Sequence, residues 1–154
     1  MTPLDIRLAL LNSGITAPCY IGGANYARPT LAWLQGDFYD AFKADLWDEN
    51  LDTWAKRWEC RDFARLYACE AQKANAKTTA VPPDEDALAV GEFWFIPDAK
   101  RYGTAPGQLT GDPGEGHAIA ICITDKGLAF VDPQNNIVWP MTTAELISCW
   151  FVRF

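Results

Sequence analysis

Apolar and polar positions divide the chain into a helical first half and a strand-rich second half. Apolar residues recur at helical spacing over residues 3–11, 31–46 and 48–77, with an interruption near Gly36. After residue 90 the pattern changes to the short alternating or fully apolar runs that are typical of strands. We expect these strands over residues 90–97, 116–124, 127–132, 137–140 and 146–154.

The stretch between the two halves has the composition of a linker. Residues 78–89 contain two consecutive prolines followed by the acidic run Asp84-Glu85-Asp86, and no helix can cross this segment. Helices followed by strands predict an α+β fold, in which N-terminal helices pack on a C-terminal antiparallel β-sheet. We therefore expect a single domain over residues 1–154, with a mainly helical half at 1–77 and a mainly β half at 90–154.

Composition and charge narrow the class of partner. The chain has 154 residues, of which 49% are apolar, enough to build one compact core. With 13 Lys and Arg against 20 Asp and Glu, the net charge is −7, which disfavours nucleic acid and anionic membranes as partners. We find no apolar run of roughly 20 residues and no basic segment before an apolar one, so we expect neither a transmembrane segment nor a signal peptide, and a cytoplasmic location. Composition leaves the oligomeric state open.

The cysteines predict neither disulfides nor a metal centre. Five cysteines are present, which is an odd number, and none forms a C-x-x-C pair. We therefore expect free thiols, most of them buried as small apolar side chains, and no metal or other cofactor.

Cys60 differs from the other cysteines in its place in the pattern. Positions 60, 63, 64, 67, 68 and 71 share one face of the predicted helix, and this face is apolar apart from a tyrosine hydroxyl. We expect the face to pack on the sheet, with Cys60 at its start. A helix that begins near Cys60 favours the thiolate, because the helix dipole places partial positive charge at the first turn. Cys60 is thus either a candidate nucleophile or a core cysteine at the top of a buried stripe.

His117 and Asp132 are candidate partners because the pattern predicts a β-hairpin that joins them. Strand-like runs on either side of a turn signal at residues 125–127 pair with each other, in the register that places Ile121 opposite Phe130. The large apolar residues then share one face, which we expect to receive the preceding helix, and His117 ends that face diagonal to Asp132. His117 is the only histidine of the chain. Each residue also has a structural alternative, as a buried histidine and as a turn residue that ends a strand.

A thiol at a helix start, together with a histidine and an aspartate at one end of the sheet, has the makings of a nucleophile, base and orienting residue. At these residues the sequence resembles the transglutaminase-like branch of the papain-like cysteine hydrolases, in the motifs Cys60-Arg61-Asp62-Phe63-Ala64, His117-Ala118 and Asp132-Pro133. The resemblance implies a papain-like core with Cys60 as nucleophile, His117 as base and Asp132 as its orienting residue. A metal site is less favoured, because catalytic zinc requires a further cysteine or histidine ligand.

Two functions are compatible with these residues. The first is a cysteine-dependent acyl-transfer enzyme that cleaves or exchanges a peptide, isopeptide or glutamine-type amide through a Cys60 thioester. Its partner would be a peptide or protein substrate, and the candidate substrate-binding residues are Trp58, Gln108 and Gln134. The alternative is a non-catalytic binding or inhibitory module that retains the papain-like fold, as seven tryptophans and several tyrosines near glycines suggest.

Overall fold

The computed structural model describes residues 1–52, 59–77, 87–103, 109 and 113–154. The α-helices in this part of the chain are α1 Pro3–Asn12, α2 Leu31–Gln35, α3 Asp37–Asp48, α4 Cys60–Lys77 and α5 Thr143–Ile147. The strands are β1 Cys19–Tyr20, β2 Tyr26–Ala27, β3 Ala87–Leu88, β4 Val90–Phe95, β5 His117–Thr124, β6 Gly127–Asp132, β7 Ile137–Val138 and β8 Phe151–Arg153. A short 3₁₀ helix spans Ala99–Arg101.

The main sheet is mixed. Six strands lie in the order β1-β8-β4-β5-β6-β7, and β1 pairs with β8 in parallel while the other pairs are antiparallel. β2 and β3 form a separate parallel pair. The predicted α+β class is confirmed. The prediction of an antiparallel sheet built from the C-terminal half is wrong in one respect, because Cys19–Tyr20 adds a parallel strand from the N-terminal half to the sheet edge.

Local sequence signals set the helix boundaries. The Thr2 hydroxyl accepts a hydrogen bond from the Asp5 N–H (3.3 Å), and the Asp5 carboxylate accepts one from the Thr2 N–H (2.8 Å), which fixes the start of α1. Gly36 separates α2 from α3, as the interrupted apolar pattern predicts. A second capping box begins α5 at Thr142, so the strand predicted over residues 146–154 is confirmed only in its last part, β8.

Helices cover both faces of the main sheet. On one face, α4 packs on small side chains of β5 and β6, among them Ala120 and Cys122. On the other face, Ile121 and Phe130 belong to a cluster that includes Ile6 of α1. The prediction that α4 lies on the face of large residues is therefore wrong. Small side chains allow a helix to approach the sheet closely, whereas the large ones fill the space beneath the shorter α1.

The boundary between the two halves of the chain is less sharp than the pattern predicts. Residues 78–86 of the predicted linker lie outside the described residues, and Ala87–Leu88 is strand β3. The strands β1 and β2 precede the long helix α4. In the described ranges, none of the helices combines the length and the apolar character that crossing a membrane requires.

Candidate functional site

Helix α4 and the β5–β6 hairpin bring Cys60, His117 and Asp132 to one end of the sheet. Ile121 of β5 lies opposite Phe130 of β6, which confirms the predicted register. His117 begins β5 and Asp132 ends β6, so the antiparallel hairpin places them side by side. The distance from His117 Nε2 to Asp132 Oδ2 is 3.8 Å, which suits an ion pair and is longer than a hydrogen bond.

Asp132 is held by the turn that follows it. Its Oδ1 accepts a hydrogen bond from the backbone N–H of Gln134 (2.9 Å), and its Oδ2 accepts one from the side-chain amide of Asn135 (3.3 Å). The Tyr39 hydroxyl donates to the Gln134 carbonyl at 3.3 Å, which ties the turn to α3. Asp132 is 2% exposed, so its carboxylate approaches His117 from a buried position. Both of its oxygens already accept hydrogen bonds from the turn.

His117 is buried among aromatic rings. The rings of Phe95 and Trp139 have centroids 6.0 and 5.5 Å from the centre of its imidazole. Burial alone lowers the pKa of His117, because it disfavours the charged ring, but Asp132 and Cys60 raise it to about 9. Among the described residues, Nε2 has no hydrogen-bond partner. A pKa of about 9 favours the protonated ring at neutral pH, and Asp132 and Cys60 are the groups that stabilise its charge.

Cys60 is half-buried at the first residue of α4 and lies close enough to His117 to raise the pKa of the imidazole. The other buried cysteines are in apolar surroundings: burial raises the pKa of the Cys122 thiol far above its usual range, and that of Cys149 to about 11. A thiol beside an imidazole has the arrangement of a nucleophile and its base. These roles for Cys60, His117 and Asp132 stay predictions.

Trp139 forms one wall of the site and is itself supported by a buried ion pair. The Arg101 guanidinium lies over the Trp139 ring, 5.0 Å from its centroid. Arg101 also donates to both carboxylate oxygens of Glu145, at 3.0 and 3.1 Å. Although burial acts to raise it, the pKa of Glu145 falls to about 2, because the carboxylate accepts from Arg101 and from the backbone of Thr142 and Asp98. The pattern along the chain gives no signal for this pair, since the two residues are 44 positions apart.

Trp150 lies beside Gly116, the residue that precedes His117. A Cβ atom added to Gly116 would come within 2.5 Å of Trp150 Cη2, so the residue before His117 has to be glycine for the indole to pack there. Trp150 is 44% exposed, which leaves part of the ring open to a ligand. The pattern along the chain does not single out Trp139 or Trp150, although the tryptophan count of the chain is a signal for aromatic surface.

The predicted substrate-binding residues are only partly described. Trp58 and Gln108 lie outside the described residues. Gln134 lies beside Asp132, but its backbone makes the contacts that hold it there, and its binding role stays a prediction. In the ranges that the structure describes, no group of three or more His, Cys, Asp or Glu side chains could hold a metal ion.

Comparisons with known proteins identify solved structures with the same fold, one of them a lectin. No family model matches the chain, and no curated protein matches it. The chain is similar to the crystal structure of Polyporus squamosus lectin bound to the human-type influenza-binding epitope Neu5Acα2-6Galβ1-4GlcNAc, with a TM-score of 0.71 and 14% identity over 100% of this chain and 49% of that chain. It is equally similar to a complex of PSL1a with E64, with a TM-score of 0.71 and 14% identity over 100% of this chain and 50% of that chain. Our chain therefore spans about half the length of these proteins.

These findings correct the family and activity that the sequence motifs imply. At this identity the likeness shows a shared fold alone. The first structural neighbour is a lectin, and nothing in the comparisons supports a transglutaminase-like or papain-like assignment, so the predicted membership of the cysteine hydrolases is wrong. The predicted acyl-transfer activity through a Cys60 thioester is implied by that membership, so the same comparisons contradict it. Three short motifs in the right order are too few residues to outweigh a fold match along the whole chain.

Proposed function

We propose that this chain is a glycan-binding module whose ligand lies beside His117 and against the exposed ring of Trp150. The observation that carries the proposal is the fold match to a sugar-bound lectin over the full length of the chain. A glycan-binding module corresponds to the non-catalytic binding alternative that the sequence predicts beside the enzyme. The likeness to a lectin favours a sugar over the predicted peptide or protein substrate.

The chemistry around His117 suits such a ligand. Ligand sites combine apolar and aromatic walls with a few polar groups that fix orientation. Trp150, which is 44% exposed, supplies an aromatic face against which the apolar face of a sugar ring can pack, and the buried Trp139 backs the His117 ring. His117 Nε2 is buried and has no hydrogen-bond partner within the described part of the chain, and a sugar hydroxyl that reaches it would supply one.

Isothermal titration calorimetry with Neu5Acα2-6Galβ1-4GlcNAc tests the proposal. We expect saturable binding by the wild-type chain and a loss of about tenfold in affinity in Trp150→Ala, since a ring-stacking contact is removed. Trp47→Ala is a matched control. Trp47 is 69% exposed and lies eight residues along α3 from Tyr39, about 12 Å at 1.5 Å per residue from the end of the helix that meets the site. Absence of binding at millimolar glycan, or equal losses in the two variants, contradicts the proposal.

A second candidate function is covalent chemistry of the Cys60 thiol on a bound ligand, which is distinct from the predicted acyl transfer that the comparisons contradict. It is favoured by one observation, the meeting of Cys60 with His117 and Asp132. The compound E64 is a suitable probe, because a protein of the same fold forms a complex with it. We expect an adduct that survives denaturation in the wild-type chain and in Cys69→Ser, and none in Cys60→Ser, by intact-protein mass spectrometry. Unmodified mass in all three proteins would leave binding alone as the function.

A further inference from the structure

We infer that the sheet face beside α4 carries a subsite for the carboxylate of an acidic glycan, formed by Arg65 and Arg153 around the buried Glu92. The inference rests on the proposed function and assigns part of the ligand to residues outside the His117 centre. We refer to Tyr20, Arg65, Phe151 and Arg153 as the arginine–aromatic ledge.

Strand register assembles the ledge. Glu92 of β4 lies opposite Arg153 of β8, and Tyr20 of β1 lies next to Arg153 on the other side. Side chains two positions apart on a strand share a face, so Phe151 lies on the same side of the sheet as Arg153. Arg65 reaches the same carboxylate from α4. Four separate elements thus converge on one surface.

The two arginines keep their hydrogen-bonding capacity. Arg65 Nε lies 3.6 Å and Arg153 Nη1 lies 3.9 Å from the same oxygen, Glu92 Oε1, and both distances are longer than a hydrogen bond. Their side chains are 49% and 56% exposed, whereas that of Glu92 is 4% exposed. The trio carries a charge of +1 on a chain whose net charge is −7. Guanidinium groups with free donors bind carboxylates through two parallel hydrogen bonds, so a local cationic site of this kind selects an anionic group.

The floor of the ledge contains two polar atoms that lack partners. Glu92 Oε2 and Trp94 Nε1 are buried, and neither has a hydrogen-bond partner among the described residues. Buried polar groups in native proteins are nearly always satisfied, by protein, water or ligand. The first atom is an acceptor and the second a donor, and they belong to residues two positions apart on β4. A ligand hydroxyl both donates and accepts, so a polyhydroxylated ligand that draws the arginines outward matches this pair.

Aromatic rings complete the ledge and connect it to the site. The ring centroids of Tyr20 and Phe151 are 5.7 Å apart, and those of Trp94 and Phe151 are 4.7 Å apart. Tyr20 is 61% exposed and offers its ring to a ligand. The Trp94 carbonyl accepts a hydrogen bond from the Trp150 N–H (3.1 Å), so the ledge adjoins the exposed Trp150 of the proposed binding site. A glycan of a few units can span the two.

Calorimetry with a charged and a neutral glycan tests the subsite. The probes are Neu5Acα2-6Galβ1-4GlcNAc and the uncharged Galβ1-4GlcNAc, applied to wild type, Arg65→Gln, Arg153→Gln and the control Arg61→Gln. Arg61 lies on the same helix, is 54% exposed and pairs with Glu59 instead of Glu92. We expect wild type to bind the acidic glycan about tenfold more tightly than the neutral one. Each ledge variant should reduce that preference at least threefold, which is about half of the tenfold preference in free energy, and Arg61→Gln should retain it.

Further variants keep the test decisive if a glutamine variant does not fold. Arg65→Lys and Arg153→Lys leave a cation beside Glu92 but lose the planar fork, so they should fold and still show a reduced preference. Equal wild-type affinity for the two glycans, or ledge variants that keep the preference, would overturn the subsite while glycan binding stands. Binding of neither glycan would overturn the proposed function and the subsite with it.

Discussion

The ion pair of His117 and Asp132 predicts a raised pKa that can be measured on the ring protons of His117. Asp132→Asn keeps the shape of the side chain and removes its charge. His117 is the only histidine, so an NMR titration of histidine ring protons reports on it alone. In the wild type we expect a pKa of about 9, raised by Asp132 and Cys60 against the effect of burial. In the variant, the charge of Asp132 that favours the protonated ring is gone, while the burial that disfavours it remains. We therefore expect the pKa of His117 to fall to about 7 or lower.

The same pair makes stability depend on pH in a defined direction. Since the folded pKa of His117 lies above the unfolded value of 6.5, the protonated ring stabilises the folded protein. This contribution is fully present below pH 6.5 and is lost as the pH rises through about 9. At ~1.4 kcal/mol per pKa unit, the rise from 6.5 to about 9 amounts to at most about 3.5 kcal/mol. Urea denaturation at pH 6 and pH 9.5 should therefore show a larger fall in the free energy of unfolding for wild type than for Asp132→Asn.

A matched control separates the pair from a general charge effect. Asp125→Asn removes an exposed carboxylate from the turn of the same hairpin and should leave the His117 titration unchanged. A wild-type pKa near 6.5, or the same pKa in wild type and Asp132→Asn, would refute the reasoning.

Two other predictions concern the thiol and the sheet. Iodoacetamide should modify Cys60 several-fold faster than the exposed Cys69, because an imidazole lies beside the Cys60 thiol. In His117→Ala the two rates should become similar, as mass-spectrometric mapping can show. Equal rates in the wild type would contradict this prediction. In urea denaturation, Gly91→Ala should lower the free energy of unfolding by about 2 kcal/mol or more, because the added Cβ would lie 1.9 Å from a backbone oxygen of β8. The control Gly22→Ala should change it by less than about 0.5 kcal/mol, because the nearest atom to its Cβ is 4.0 Å away.

The sequence predicts those features that depend on local pattern. The hairpin register follows from alternation and a short turn, and the division of α2 from α3 follows from Gly36. The meeting of His117 with Asp132 follows from that register alone. For these features, residues near each other in the chain hold all of the information that is needed.

Features that depend on distant residues were not predictable in this way. Strands β1 and β8 pair although they come from opposite ends of the chain, and the support of Trp139 by Arg101 and Glu145 joins residues with no common motif. The face on which α4 packs depends on how closely a helix can approach small side chains, which periodicity does not contain. The short motifs around Cys60 indicated a chemistry, but the fold along the whole chain indicated a different family of neighbours.

The central claim is that a glycan binds against His117, and the ring protons of this one histidine test it directly. Neu5Acα2-6Galβ1-4GlcNAc is added to the wild-type chain at constant pH while the His117 resonances are recorded. We predict a saturable shift of these resonances, with the same dissociation constant as calorimetry gives, because the ligand enters the surroundings of a buried imidazole flanked by Trp139. Two results would contradict the claim. One is a set of His117 resonances that stays unchanged at glycan concentrations that saturate binding in calorimetry, and the other is the absence of glycan binding in both measurements.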